Sequence, residues 1–377
     1  MSIFPGRFHG PSVVRSSFAA RMISPSTAYE HARAALLRAP RTWLVTGAAG
    51  FIGSNLAEGL LRMGQRVVGI DDFSNGFQHN VDDVRRQVGD AAAERFRFFE
   101  GDVRDPGDCA EACRGVDVVL HQAALGSVPR SIANPVASHL ANADGTLNMM
   151  AAARDAGVGR FVFASSSSTY GDNPALPKVE HQIGRPLSPY AVSKYVGELY
   201  GGVFHRVYGL ETVGLRYFNV FGRRQRPDGP YAAVIPRWIG RLLSGEPCVI
   251  HGDGETSRDF CFVENVVQAN VLAGVTQNPE AFGEVYNVAC GRSTSLNHLF
   301  ELIREGLREL RPGTDFPGPE YTPPREGDIR DSLADLGKIS SRLAYRPTHH
   351  VADGLREALR WYVETHEQSA ATAASHT

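Results

Sequence analysis

Short apolar runs recur along the first two thirds of the chain, at Trp43–Thr46, Arg66–Ile70, Phe96–Phe99, Val116–Leu120, Phe161–Ala164 and Thr212–Leu215. Helix-like segments such as 134–156 and 188–208 lie between most of them. Strands alternating with helices build βαβ units, whose strands run parallel. The pattern therefore predicts an α/β fold with a doubly wound parallel sheet. Ala28–Arg38 predicts a short helix ahead of the first strand. After Phe221 the alternation loosens into Pro, Gly and Arg clusters at 222–230 and 311–330. This predicts a smaller C-terminal α/β lobe, closed by an amphipathic helix over Val351–Thr365. The expected division is an extension over 1–40, a sheet domain over 41–220, and a lobe over 221–366 with some segments returning to the sheet domain. A disordered tail is expected over 367–377.

Composition narrows the class of protein. Of 377 residues, 42% are hydrophobic and 21% charged, as in ordinary folded proteins. The 39 basic and 41 acidic side chains leave −2, so net charge offers no attraction for nucleic acid. No run of about 18 apolar residues predicts a membrane span. The five cysteines are scattered except for Cys109 and Cys113, which lack a second pair at zinc spacing. That usage fits reduced thiols in a cytoplasmic protein with no metal site. Residues 1–28 carry Arg7, Arg15 and Arg21, many serines and no acid, which fits a transit peptide. The blander reading, a disordered tail over 1–24 or sequence ahead of a start at Met22, is preferred.

The first strand runs into Thr46-Gly47-Ala48-Ala49-Gly50-Phe51-Ile52-Gly53. Glycines between a strand and a helix permit a tight turn and a close backbone approach to a pyrophosphate, which the helix N-terminus then attracts. Asp71, ending the second strand, could accept hydrogen bonds from a ribose and repel a 2′-phosphate. That points to NAD rather than NADP. Asp102 and Val103 after the third strand, and Gln122, Ala123 and Ala124 after the fourth, fall where such a sheet opens onto its cofactor.

Ser188-Pro189-Tyr190-Ala191-Val192-Ser193-Lys194 places a phenol and an ammonium at i and i+4 on one helix face. Pro189 suits the first turn, and Ser188 suits the cap. A phenol with a pKa near ~10 is a poor base at neutral pH. A neighbouring ammonium and a positive nicotinamide ring both favour its ionised form. Upstream, Ser165–Tyr170 supplies a hydroxyl-rich strand end.

Together with His121–Ser131, Ala164–Gly171, Leu215–Gln225, Tyr231–Pro236 and Gly252–Asp259, these motifs make the chain resemble the extended short-chain dehydrogenase/reductases from about Arg41 to the final helix. Within that family it resembles the UDP-N-acetylglucosamine 4-epimerases. The resemblance implies a Rossmann-type sheet and a tightly held NAD, with Tyr190 as base, Lys194 as its electrostatic partner and Ser166 as the hydroxyl shared with the sugar oxygen at carbon 4. It implies further cofactor contacts at Phe51, Ile52, Asn142 and Tyr217. Asp144 stands where the family usually has a second asparagine. A UDP-sugar would be held through Asn219, Gln225, Val234, Arg258, Arg325 and Asp328. Gly126, Ser127, Ser167 and Ser332 would line the sugar site, with Ser332 beside carbon 2. Arg223, Arg224 and Arg226 read as surface arginines.

The implied reaction moves a hydride from carbon 4 and returns it to the other face of a 4-keto sugar. Ser167 and Ser168 replace the Asp-Glu pair of the related dehydratases, which disfavours dehydration. A uronic acid or UDP-glucose as substrate stays open, and a non-catalytic NAD-sensing regulator is the remote alternative. The resemblance also implies a homodimer, in which helices 134–156 and 188–208 form a four-helix bundle. Met149, Met150, Val196, Leu199 and Val203 are expected to supply its apolar surface.

Overall fold

The computed structural model describes residues 28–228, 232–324 and 330–374. Seven strands form the central sheet: β1 (Thr42–Thr46), β2 (Arg66–Asp71), β3 (Phe96–Glu100), β4 (Val118–His121), β5 (Arg160–Ser166), β6 (Glu211–Tyr217) and β7 (Glu284–Val288). Their order is β7-β6-β5-β4-β1-β2-β3, with every neighbouring pair parallel. This is the doubly wound α/β fold, and its order reverses between β1 and β4. Ligands of such sheets bind in the crevice beyond the carboxyl ends of the strands at that switch.

Both faces of the sheet are buried, which is why the strands read as continuous apolar runs. Trp43 and Val45 of β1 join one core with Leu56 and Leu60 of helix Phe51–Arg62 and Val267 of helix Val263–Val275. Leu44 points to the opposite core, with Met149 and Met150 of helix Gly145–Asp155 and Phe204 of helix Pro189–Tyr208. Met149 and Met150 thus belong to the interior, correcting their expected place on an exposed face.

The expected helix over 134–156 is interrupted. Pro135–His139 leads into a wider π-helical turn at Leu140–Asp144 before Gly145–Asp155 resumes. Helix Ala28–Arg38 buries Leu36 against the first core. Residues 1–24 lie outside the described residues.

Helices Val234–Leu243, Leu296–Leu310 and Val351–Ala374 build the C-terminal lobe around Trp238, Phe300 and Tyr362. The last helix continues to Ala374, through most of the stretch expected to be disordered. Strand β7 leaves this region to pair with β6. Among the described residues, no helix is long and apolar enough to cross a membrane.

A buried ion pair joins the sheet to the helix that follows β5. Arg216 of β6 donates to both carboxylate oxygens of Glu198, at 2.7 and 2.6 Å, and Ser165 donates to Glu198 Oε1 at 2.5 Å. Such a pair holds its elements firmly because losing one partner strands a buried charge.

Candidate active site

Gly47 has φ +66°, and a Cβ on it would lie 2.9 Å from the backbone nitrogen of Ala123. A Cβ on Gly53 would come within 2.0 Å of the Gly47 carbonyl oxygen. Only glycine lets this loop close against β4 and lets helix Phe51–Arg62 approach β1. That helix starts at Gly50 with no side-chain cap, so its first N–H groups remain available to an anion. The buried Asp71 carboxylate braces the loop, accepting from Ala49 N and Phe73 N at 2.9 Å each. Burial raises its pKa above the ordinary value, and the backbone donors offset part of that rise.

The loop opens into a cleft of about 500 Å³ at the switch between β1 and β4. All the expected cofactor residues line it except Asn142: Gly47, Gly50, Phe51, Ile52, Gly53, Asp71, Asp102, Val103, Gln122, Ala123, Ala124, Tyr190, Lys194 and Tyr217. The crowded glycines and the uncapped helix fit a dinucleotide. Sequence reasoning missed Asn270, which closes a cyclic set of hydrogen bonds with two of these residues. Tyr217 donates to Gln122 Oε1 at 3.0 Å, Gln122 Nε2 to Asn270 Oδ1 at 3.2 Å, and Asn270 Nδ2 to the Tyr217 oxygen at 2.9 Å. The ring satisfies these polar atoms and fixes two side chains of the cleft wall.

Ser166, Tyr190 and Lys194 meet in the same cleft. Ser188 caps helix Pro189–Tyr208 by accepting from Ala191 N, with Pro189 in its first turn. Ser168 donates to Ser166 Oγ through its backbone nitrogen at 3.2 Å and its hydroxyl at 3.0 Å. Ser166 already accepts twice, so its own proton is free to point at a phenolate or a substrate oxygen. Burial raises the Tyr190 pKa, and its hydrogen bond with Ser166 offsets part of that rise. Burial brings Lys194 down to about 8. Its ammonium donates to the Ala164 carbonyl at 3.0 Å and lies 6.0 Å from the Tyr190 ring centre.

Asn142 acts from behind the cleft. Within the π turn, its side chain donates to Ser193 Oγ and Leu125 O and accepts from Leu125 N. Asp144 instead pairs with His139 at the surface, at 3.4 Å. His121 links this region to the glycine loop. Thr146 donates to Asn142 O at 2.6 Å, so it can only accept from His121 Nε2. His121 therefore carries its proton on Nε2, and Nδ1 accepts from Thr46 at 2.9 Å. Burial lowers its pKa to about 3, which keeps it neutral.

The expected substrate residues are spread more widely. Gly126, Ser127, Ser166, Tyr190 and Gln225 line the cleft, and Gln225 Oε1 is buried without a hydrogen-bond partner. Asn219, Val234, Arg258, Ser167 and Ser332 do not contribute to its described lining. Asn219 donates to Asp259 O at 3.2 Å, and Arg258 to Ser257 O and Arg330 O. Ser332 is half-buried, and its backbone nitrogen donates to Ser257 O at 3.1 Å. Arg325 and Asp328 lie outside the described residues. The arginines expected at the surface differ from one another. Arg226 is exposed beside Asp228, Arg223 reaches Glu58, and the Arg224 side chain is fully buried between Glu58 and Asp83.

The chain belongs to the NAD dependent epimerase/dehydratase family. The family model matches residues 43–289, spanning the glycine loop, helix Pro189–Tyr208 and β7. The cofactor is accordingly NAD. The chain is 37% identical over 323 residues to the UDP-glucose 4-epimerase of Mycolicibacterium smegmatis, covering 85% of this chain and 97% of that protein. Among solved structures, it is similar to a UDP-N-acetylglucosamine 4-epimerase of Methanobrevibacter ruminantium M1 in complex with UDP-N-acetylmuramic acid. That match has a TM-score of 0.78 and 37% identity, covering 86% of this chain and 99% of that one. It is likewise similar to the UDP-glucose 4-epimerase of Thermotoga maritima with UDP-glucose, with a TM-score of 0.75, 34% identity, and 86% and 99% coverage.

Proposed function

We propose that this protein is an NAD-dependent 4-epimerase of UDP-sugars that prefers UDP-N-acetylglucosamine and UDP-N-acetylgalactosamine. The observation that carries the reading is the Ser166–Tyr190–Lys194 constellation in the NAD cleft with serines, not carboxylates, at 167 and 168. NAD, when bound, supplies the acceptor and donor of the hydride at carbon 4. Tyr190 takes the proton of the carbon-4 hydroxyl and later returns it. Ser166 shares its proton with the same sugar oxygen, and Lys194 favours the phenolate by its charge. Ser167 and Ser168 cannot act unaided as general acid and base at neutral pH, so the 4-keto sugar is turned over rather than dehydrated. Gln225, Arg258, Arg325 and Asp328 are the proposed UDP grip, leaving the sugar free to rotate.

The acetamido preference rests on small residues, namely Ser332 in the lobe and Gly126 and Ser127 at the cleft mouth. Added bulk at Ser332 excludes the larger sugar far better than a roomy pocket rejects the smaller one. Ser332→Tyr should abolish turnover of UDP-N-acetylglucosamine and leave UDP-glucose epimerisation intact or improved. Equal loss of both would refute that placement. The whole reading is tested by incubating the enzyme separately with UDP-N-acetylglucosamine, UDP-glucose and UDP-N-acetylglucosaminuronate and following carbon-4 inversion by NMR. Absence of inversion in all three would overturn it. The same reading assembles the protein as a homodimer through helix Pro189–Tyr208 and its neighbour.

A further inference from the structure

The segment that follows β6 in the sequence, Gly222–Arg226, forms a strap along the cleft wall. Arg224, Gln225 and Arg226 line the cleft. On the lobe side, the Tyr362 hydroxyl shares its one proton between Gln225 O at 2.7 Å and Gly222 O at 3.2 Å. On the cofactor side the grip is ionic. Arg224 donates to Asp83 Oδ2 at 2.7 Å and Glu58 Oε2 at 2.6 Å with no exposed side-chain surface. Glu58 lies on the helix that starts at the glycine loop, and Asp83 lies on helix Gln78–Val88. Asn55 adds a bond to Arg223 O at 3.0 Å, and the Arg226 guanidinium lies 4.8 Å from the ring centre of Phe77, itself part of the cleft wall.

Arg224 also adopts φ +64°, a conformation that costs a non-glycine residue free energy. The backbone is held there while the side chain reaches two acids of the cofactor-binding half. Its third nitrogen, Nη1, is buried without a hydrogen-bond partner, so these two carboxylates are what the guanidinium donates to. Both acids have other cationic partners, Arg62 for Glu58 and Arg86 for Asp83.

We propose that the strap retains NAD in its cleft and that Arg224 is its latch. An arginine fits the task because its planar fork bonds two carboxylates on two helices at once. Opening the cleft requires that both bonds break together. The inference deepens the reading of the site as an epimerase, whose cycle needs the same NAD to stay bound, but its test needs no sugar.

The experiment is exchange of bound NAD. Purified holoenzyme is mixed with an excess of isotopically labelled NAD, and replacement is followed by mass spectrometry for wild type, Arg224→Met and Arg224→Lys. Thermal melting is recorded for each. Arg224→Met should exchange at least roughly tenfold faster, on the scale of one charge-assisted hydrogen bond lost from the closed state. Arg224→Lys, with charge but no fork, should fall between. A folded Arg224→Met protein with wild-type exchange overturns the proposal. If Arg224→Met does not fold, Asp83→Asn decides, because it keeps the guanidinium and weakens one anchor: faster exchange supports the latch, unchanged exchange overturns it. Failure here would leave carbon-4 inversion untouched, and failure of inversion would leave the exchange rates untouched.

Discussion

Tyr190 faces the cleft with a pKa that burial has moved away from what a base at neutral pH requires. The hydrogen bond from Ser166 offsets only part of this, so the remaining help must come from positive charge. In the proposed mechanism Lys194, with the nicotinamide ring when NAD is bound, would supply it. Tyr190→Phe should keep the fold and bound NAD and lose epimerisation by about 10²–10⁴-fold, measured as initial rate at saturating UDP-sugar. A fully active Phe variant would remove Tyr190 from the mechanism. Lys194 carries its charge below about 8 and loses it as pH rises through that value, since burial has lowered it from 10.5. Turnover should therefore decline above about pH 8. Lys194→Arg stays charged throughout, so its slower turnover should hold up to higher pH. An alkaline limb that does not move in that variant would refute the assignment. Tyr190 and Lys194 were legible because their spacing matches one helical turn. His121 and Asn270 were not, because each acts through partners far away in sequence. Arg224 was misread for the same reason: an arginine in a Gly- and Pro-rich loop looks solvated until two distant acids are seen around it.

At the scale of elements, the glycine loop and the first helix form one unit whose tolerance is set by backbone contact. A methyl group on Gly53 would come within 2.0 Å of a carbonyl oxygen that cannot yield like a flexible side chain. Gly53→Ala should lower the melting temperature by an amount matching about 1–3 kcal/mol of overpacking, and the purified protein should carry less NAD. Wild-type NAD content in a variant of unchanged stability would contradict this account. The six strands β1 to β6 were visible in sequence because a sheet buried on both faces selects uninterrupted apolar runs. The seventh, Glu284–Val288, was missed. It lies between segments of the lobe and carries Glu284 and Asn287 among its apolar residues, and only its pairing with β6 identifies it. The π turn at Leu140–Asp144 was equally hidden, since one wide turn hardly disturbs a helical pattern. Its effect is local but pointed: it presents Asn142 to Ser193, beside Lys194, and leaves Asp144 outside.

At the scale of the whole molecule, an apolar stripe is left uncovered among the described residues. Val192, Leu199 and Val203 are exposed and Val196 is half-buried along helix Pro189–Tyr208, at the spacing of one helical stripe. Val136 and Leu140, exposed at 66% and 41%, extend the apolar surface onto the neighbouring helical segment. Monomeric proteins seldom expose contiguous apolar surface of this kind without using it. A two-fold axis beside the stripe would bring two helices from each copy together, giving a four-helix contact in which each stripe covers its own equivalent. A net charge of −2 offers little repulsion to oppose it. The protein should therefore sediment as a dimer at micromolar concentration, and the paired substitutions Leu199→Asp and Val203→Asp should make it a monomer. Because Tyr190 and Lys194 lie on the helix that carries the stripe, the monomeric variant should also melt earlier and turn over more slowly. Its NAD-binding residues are untouched, so it should still bind the cofactor. A monomeric wild-type protein at that concentration would refute the dimer, and the exposed stripe would then face solvent at a cost that its sequence does nothing to reduce.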